Sequence, residues 1–245
     1  MISQRLQIVL ACLVATASAA QNLVPNPGFE AGGRVGCNGA TPEQFETAMK
    51  EWFLPTRARA TIYDIGIKPG CVGYVRKNDF IQPHSGRRMM DLCFRSGSNY
   101  RTYLEVALAK ELIVGKKYHT EIWVHATEGK ACNNIGMYFS EILVSLQYRD
   151  EGSLEEGLVA EDVPFMGVSP LTPQVNHAQI VSDTSRWVCL KATFTAITKA
   201  RYLVIGNFFS DKNTSAKNTR KDAPVKGGVF YQIDDVYVGL TPNER

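Results

Sequence analysis

The sequence contains no Cys-x-x-Cys pair, no His-Glu-x-x-His, no Gly-x-Ser-x-Gly, and only four histidines in 245 residues. Those absences remove the spacing signatures of zinc fingers, thioredoxin-type redox pairs, zinc hydrolases and nucleophile-elbow serines. Ser85, in His84-Ser85-Gly86, has no elbow around it, and the glycines at 36–39 are too close together for a phosphate loop. No apolar run approaches the roughly 20 residues a membrane span needs, so no transmembrane segment is expected. Basic and acidic residues nearly balance, at 27 against 24. They are interspersed except in the lysine-rich tract 212–226, so no concentrated basic face points to nucleic acid. There is no internal repeat and no low-complexity tract.

What is present begins with an export signal. Arg5 precedes a mostly apolar stretch at 6–15, and small residues end it at Ala17, Ser18, Ala19 and Ala20. Residues 1–20 therefore read as a signal peptide cleaved near Ala19-Ala20. The expected product is a single domain, 21–245, secreted or periplasmic and outer-membrane-associated. Lipidation at Cys12 is the alternative, with too little apolar length ahead of it. Cleavage at Ala20 leaves five cysteines, Cys37, Cys71, Cys93, Cys132 and Cys189, enough for at most two bridges in an oxidising compartment. Cys37 and Cys71 both lie in turn-rich segments and are the first-choice pair. Asn213-Thr214-Ser215 is a glycosylation sequon, relevant only in a eukaryotic host.

The periodicity is β. Apolar residues alternate with polar ones at 102–108, 117–126, 141–148 and 187–196, and strand-like runs at 201–209 and 229–238 complete the series. In 102–108, Leu104, Val106 and Leu108 oppose Tyr103, Glu105 and Ala107. In 117–126, Tyr118, Thr120, Ile122 and Val124 oppose His119, Glu121, Trp123 and His125. One short helix is expected at 42–52, with Thr41 as N-cap, Pro42 at its first position and Phe45, Met49 and Trp52 on one face. Residues 151–183 and 210–228 read as long loops. The expected fold class is all-β: an antiparallel β-sandwich with one short helix and long loops.

The run NLVPNPGFE at 22–30 closely resembles the opening of a secreted envelope β-sandwich family found mostly in Bacteroidetes, often ahead of an OmpA-type domain. The likeness continues at 82–86, 100–105, 112–118 and 132–140. It closes at 202–209 and at Ile233-Asp234-Asp235-Val236. That family is similar to CenC-type carbohydrate-binding modules with a galactose-binding-like jelly roll. The resemblance implies non-catalytic binding of glycan or cell-envelope polysaccharide. Two departures stand out: no OmpA-type domain follows before Arg245, and residues 59–64 replace the family's usual segment after the tryptophan-proline stretch.

Jelly-roll modules of this kind often hold a structural calcium between first and last strands, which implies Glu30 with Asp234 or Asp235 as ligands and carbonyls from 31–33 beside them. Strand alternation would send Asp234 and Asp235 to opposite faces; the alternative is that these carboxylates cap turns or pair with cations. For a saccharide, an aromatic platform rimmed by acceptors and donors is the chemistry to look for. Trp123, Glu121 and His125 supply one on 117–126, and Tyr103 and Glu105 would join it from an adjacent strand. Trp52, with Phe53, Tyr63, Tyr74 and Phe80, would line a groove at one edge, or anchor a loop to the core. A glycosidase would need two carboxylates across a cleft, a role in which Glu105 with Glu121 can be imagined, although such pairs in a sandwich are usually solvated. The other reading is a structural component of the envelope or of a secretion or gliding apparatus, with envelope proteins as partners. An apolar patch would mark it.

Overall fold

The computed structural model describes residues 21–36, 41–76, 78, 81–98, 100–127, 129–144, 171–221 and 227–244. The expected signal peptide, Cys12, Cys37, Phe80 and residues 145–148 of the strand expected at 141–148 lie outside them.

The short helix forms where a local stop and start coincide. Thr41 caps α1 (Pro42–Ala48) in a capping box with Gln44, and the helix ends at Met49, whose backbone is extended. Glu51, with φ at 74°, turns the chain into β1 (Trp52–Phe53). The helix is shorter than the pattern predicts, yet Phe45, Met49 and Trp52 are all buried together.

Among the described residues, two five-stranded antiparallel sheets follow. In order across the first lie β1, β4 (Leu104–Ala107), β10 (Tyr202–Gly206), β7 (Ile135–Ser140) and β8 (Val175–His177). The second has β2 (Thr61–Asp64), β3 (Arg88–Arg95), β12 (Val229–Leu240), β5 (Lys117–Ala126) and β9 (Val188–Thr195). A separate ribbon pairs β6 (Lys130–Cys132) with β11 (Ala216–Asn218). Alternate residues of the two sheets meet in one core. Leu104, Val106, Met137, Phe139, Leu203 and Ile205 come from the first sheet. Met90, Leu92, Ile122, Val124, Ile233 and Val238 come from the second. This is the all-β sandwich that the period-two pattern predicts.

Several local expectations change. Residues 22–30, the family-like opening, form a knot of bends, because Pro25 and Pro27 donate no hydrogen bond and Asn26 and Phe29 take positive φ. The knot is held by Asn26, whose side chain bonds Ala31 and Lys50 while its carbonyl accepts from Trp52 Nε1 at 2.9 Å. Asn22 and Leu23 still run against the last strand: Leu23 N donates to Val238 O at 2.7 Å, and Asn22 Oδ1 accepts from Val238 N at 3.0 Å. Residues 141–144 form no strand; the strand in this region is β7, just before them. The long loops at 151–183 and 210–228 contain β8 and β11.

Candidate functional site

Both sheets have an outer face, and the two are finished differently. On the first sheet, Tyr103, Val204 and Phe208 form a second apolar cluster with Val144 and Leu171, which lie over that face. Tyr103 donates to Asn207 O at 2.8 Å, and Glu105 accepts from Val144 N at 2.6 Å; both are fully buried. The strand carrying them pairs with β10, not β5. Tyr103 and Glu105 are therefore corrected from binding-face residues to buried ones on the opposite side of the sandwich from Glu121. Glu105 and Glu121 cannot straddle one cleft. Period two alone cannot reveal this, since β4 is covered on both faces.

The outer face of the second sheet is polar. Pairing of β5 with β9 sets Lys191 beside Glu121 and Cys189 beside Trp123, and pairing with β12 sets Tyr237 on the other side of Glu121. Glu121 Oε1 lies 2.8 Å from His119 Nε2 and 2.9 Å from Lys191 Nζ. The bond to His119 first, then that to Lys191, holds the Glu121 carboxyl below the usual carboxylate range. Lys191 is 58 % exposed at its side chain, and His119 and Glu121 are about a quarter exposed. This half of the face is wet and carries charge of both signs.

The other half is aromatic and closed. His84 stacks on Trp123 with ring centroids 3.8 Å apart, and its edge meets Trp187 at 5.9 Å. Trp187 in turn covers His125 at 5.6 Å and donates to Gln82 O at 2.8 Å. His125 is 2 % exposed, and burial holds its imidazole below the usual pKa. His125 thus supports the platform from beneath and does not rim it. Trp123 is half-buried with one ring face taken by His84. Trp52 is fully buried against Phe29 and has no access to ligand; it anchors the 22–30 knot.

The three expected metal ligands act as clasps. Glu30 Oε1 accepts from the backbone N–H groups of Arg87 and Arg88 at 2.7 and 2.8 Å. Asp235 has φ at 43° inside a bulge of β12. The bulge breaks strand alternation, so Asp234 and Asp235 converge on one loop instead of facing opposite ways. Ser85 N donates to Asp234 Oδ2 at 3.1 Å and Ser85 Oγ to Asp235 Oδ1 at 2.9 Å, while His84 Nδ1 lies 2.6 Å from Asp235 Oδ2. Burial, with the Asp235 charge adding to it, pushes Asp234 up to about 8. Among the described residues no group of three or more His, Cys, Asp or Glu gathers where a metal could sit. The donor set as placed does not fit a calcium cradle.

Cys71 is disulfide-bonded, and its partner lies outside the described residues, where Cys37 also falls. Cys93, Cys132 and Cys189 are free thiols. Burial raises Cys93 to about 11 and Cys132 to about 12, so neither is poised as a nucleophile.

No protein-family model matches the chain, and no curated protein matches it. Among solved structures, the chain is similar to the CBM22-1 xylan-binding domain of Paenibacillus barcinonensis Xyn10C, at 12% identity over 91% of this chain and 96% of that one, with a TM-score of 0.43. A CBM4 structure is similar at 14% identity, covering 89% and 99%, with a TM-score of 0.40. TmCBM61 in complex with β-1,4-galactotriose is similar at 15% identity, covering 91% and 100%, with a TM-score of 0.36. Several of these neighbours are thus carbohydrate-binding modules. At such identities and TM-scores the likeness assigns no ligand and no residue role.

Sequence reasoning missed His84, Trp187 and Lys191. Lys191 could not be found without knowing that β9 lies beside β5. His84 and Trp187 were available only as a histidine in a Pro-His-Ser-Gly turn and a tryptophan at a strand start.

Proposed function

We propose that this chain is a non-catalytic binding module that takes a glycan, such as a cell-envelope polysaccharide, on the outer face of its second sheet. The observation that carries the reading is the Glu121 carboxylate, kept ionised between His119 and Lys191 on a wet strand face and flanked by Tyr237 and Trp123. A charged acceptor with two donors beside it is suited to bind vicinal hydroxyls, and neighbouring rings suit the C–H face of a sugar. Because His84 covers one face of Trp123, the ring edge, Tyr237 and the stem of Lys191 supply the apolar contact. Reversible binding is the whole mechanism. The N-terminal export reading supports a site in the envelope or outside the cell.

The test is a glycan array followed by titration of the best ligand. Glu121→Gln should weaken binding by about tenfold, the scale of one charge-assisted hydrogen bond, with the thermal midpoint retained. Equal affinity in the variant would remove the site from this face.

A second reading, a structural partner of envelope proteins, has one observation in its favour. Ile113, Val114, Ile142 and Ile197 are each more than half exposed. They lie on loops joined by Gly115 N to Ala196 O at 2.8 Å and Arg201 N to Ser140 O at 2.8 Å. Exposed apolar side chains on neighbouring loops are the kind of feature that the structural reading calls for. Removing it by Ile113→Ser with Ile197→Ser should leave glycan binding intact and abolish any protein association.

A further inference from the structure

We propose a second binding site, a basic cleft at the β2 edge of the sandwich that takes the anionic substituent of an acidic saccharide, a uronate carboxylate or a sulfate ester. The cleft has a volume of ≈ 690 Å³ and is lined by residues 32–35, by Asp64, Gly66, Ile67 and Lys68, by Cys71, and by Arg87 and Arg88. That size suits a sugar unit or two. Four cationic side chains, Arg34, Lys68, Arg87 and Arg88, face a single carboxylate, Asp64.

That carboxylate is already committed. Arg87 donates to it from Nε at 3.0 Å and Arg88 from Nε at 2.9 Å, and Gly66 N donates to it at 2.7 Å. Arg88 spends a further donor on Gly33 O at 2.8 Å. The side chains of Arg34 and Lys68 are exposed, and neither makes a hydrogen bond or ion pair to another described residue. Asp64 thus holds the two arginines as a floor, and Arg34 and Lys68 rim it with charge that no described carboxylate engages. Gly66 leaves room for the Arg87 guanidinium, which a Cβ there would have to displace. Cys71, a disulfide-bonded cysteine, is part of the lining. Neutral sugars gain nothing from such a rim, whereas a carboxylate or sulfate gains charge-assisted hydrogen bonds from it.

The saccharide part of this proposal rests on the glycan reading above; the cleft itself does not involve the Glu121 face. The experiment is calorimetric titration of the full chain with three probes: oligogalacturonate, a sulfated oligosaccharide, and a neutral galacto-oligosaccharide of equal length. Wild type should bind at least one acidic probe more tightly than the neutral one, with affinity falling as salt is raised. Arg34→Gln with Lys68→Gln should weaken the acidic probe by about tenfold or more and leave the neutral probe unchanged. Arg34→Lys with Lys68→Arg should restore most of the loss. Equal binding of acidic and neutral probes by wild type, or wild-type affinity for the acidic probe in the Gln pair, would overturn the cleft alone. Failure of every saccharide to bind would overturn both this proposal and the glycan reading. Both substituted side chains are solvent-exposed, so an unchanged melting curve verifies that the fold is not the cause.

Discussion

Replacing Asp64 by alanine should cost far more than removing the exposed arginine it binds. Asp64 has no solvent exposure, and its two oxygens serve Arg87, Arg88 and the Gly66 amide. The Arg88 side chain is 7 % exposed and the Arg87 side chain 51 %. Asp64→Ala leaves Arg88 buried without its counter-charge, a penalty of about 3–5 kcal/mol. For a chain of this size each kcal/mol moves the midpoint by about 2–4 °C, so the drop should be roughly 6–20 °C. Arg87→Gln removes only a solvent-screened partner and should cost about 0–1 kcal/mol. The assay is urea unfolding at neutral pH, with the slope required to stay constant so that the midpoint reports stability. A pH arm adds a sign. Burial alone would raise the Asp64 carboxyl, but the Gly66 amide, Arg88 and Arg87 together hold it below its usual value. Its contribution is therefore present above the unfolded carboxylate range, near pH 4, and lost as pH falls through the lower folded value. The gap between wild type and Asp64→Ala should narrow in acid. A loss below about 1 kcal/mol at neutral pH, or equal losses for Asp64→Ala and Arg87→Gln, would refute the idea that burial of this cluster decides its worth.

Burial raises Asp234 to about 8, so the folded state holds a proton that the unfolded state has released; this contribution is full below about pH 4 and disappears as pH rises to about 8. Asp234→Asn should flatten that slope in melts taken across the range. Tyr103→Phe removes the donor to Asn207 O and should cost about 1–2 kcal/mol in chemical unfolding, because a buried carbonyl loses its partner; glycan affinity should not change. Melting midpoints with calcium and with EGTA should coincide, since a metal bound to the native state would raise the midpoint and the 30/234/235 carboxylates are engaged by hydrogen bonds instead.

Much of the sandwich was legible because 117–126 and 187–196 carry a period of two, and 117–126 matches β5 residue for residue; β10 and β12 are mostly buried and showed only as strand-like runs. Thr41 as N-cap and Pro42 at the first position marked the helix start in the same way, and the structure adds Gln44 as the partner in a capping box. The site was less legible for reasons that particular residues make plain. Tyr103 and Glu105 alternate like open-face residues, but a second cluster buries them, and nothing in strands 102–108 and 117–126 says that they belong to different sheets. Asp234 and Asp235 read as opposite-facing until the bulge at Asp235 is known. Glu121 and Trp123 were identified correctly as outer-face neighbours, while their partners Lys191 and His84 lie about 70 and 40 residues away, a pairing that only the fold creates.

The most direct test of the account is a two-dimensional amide NMR titration of the full chain with the strongest glycan from the array. The account predicts that the largest shifts fall on residues 119–123, 189–193 and 237, on the outer face of the second sheet. Shifts confined to residues 103–105 and 204–208 on the first sheet, or no shift with any glycan, would contradict it.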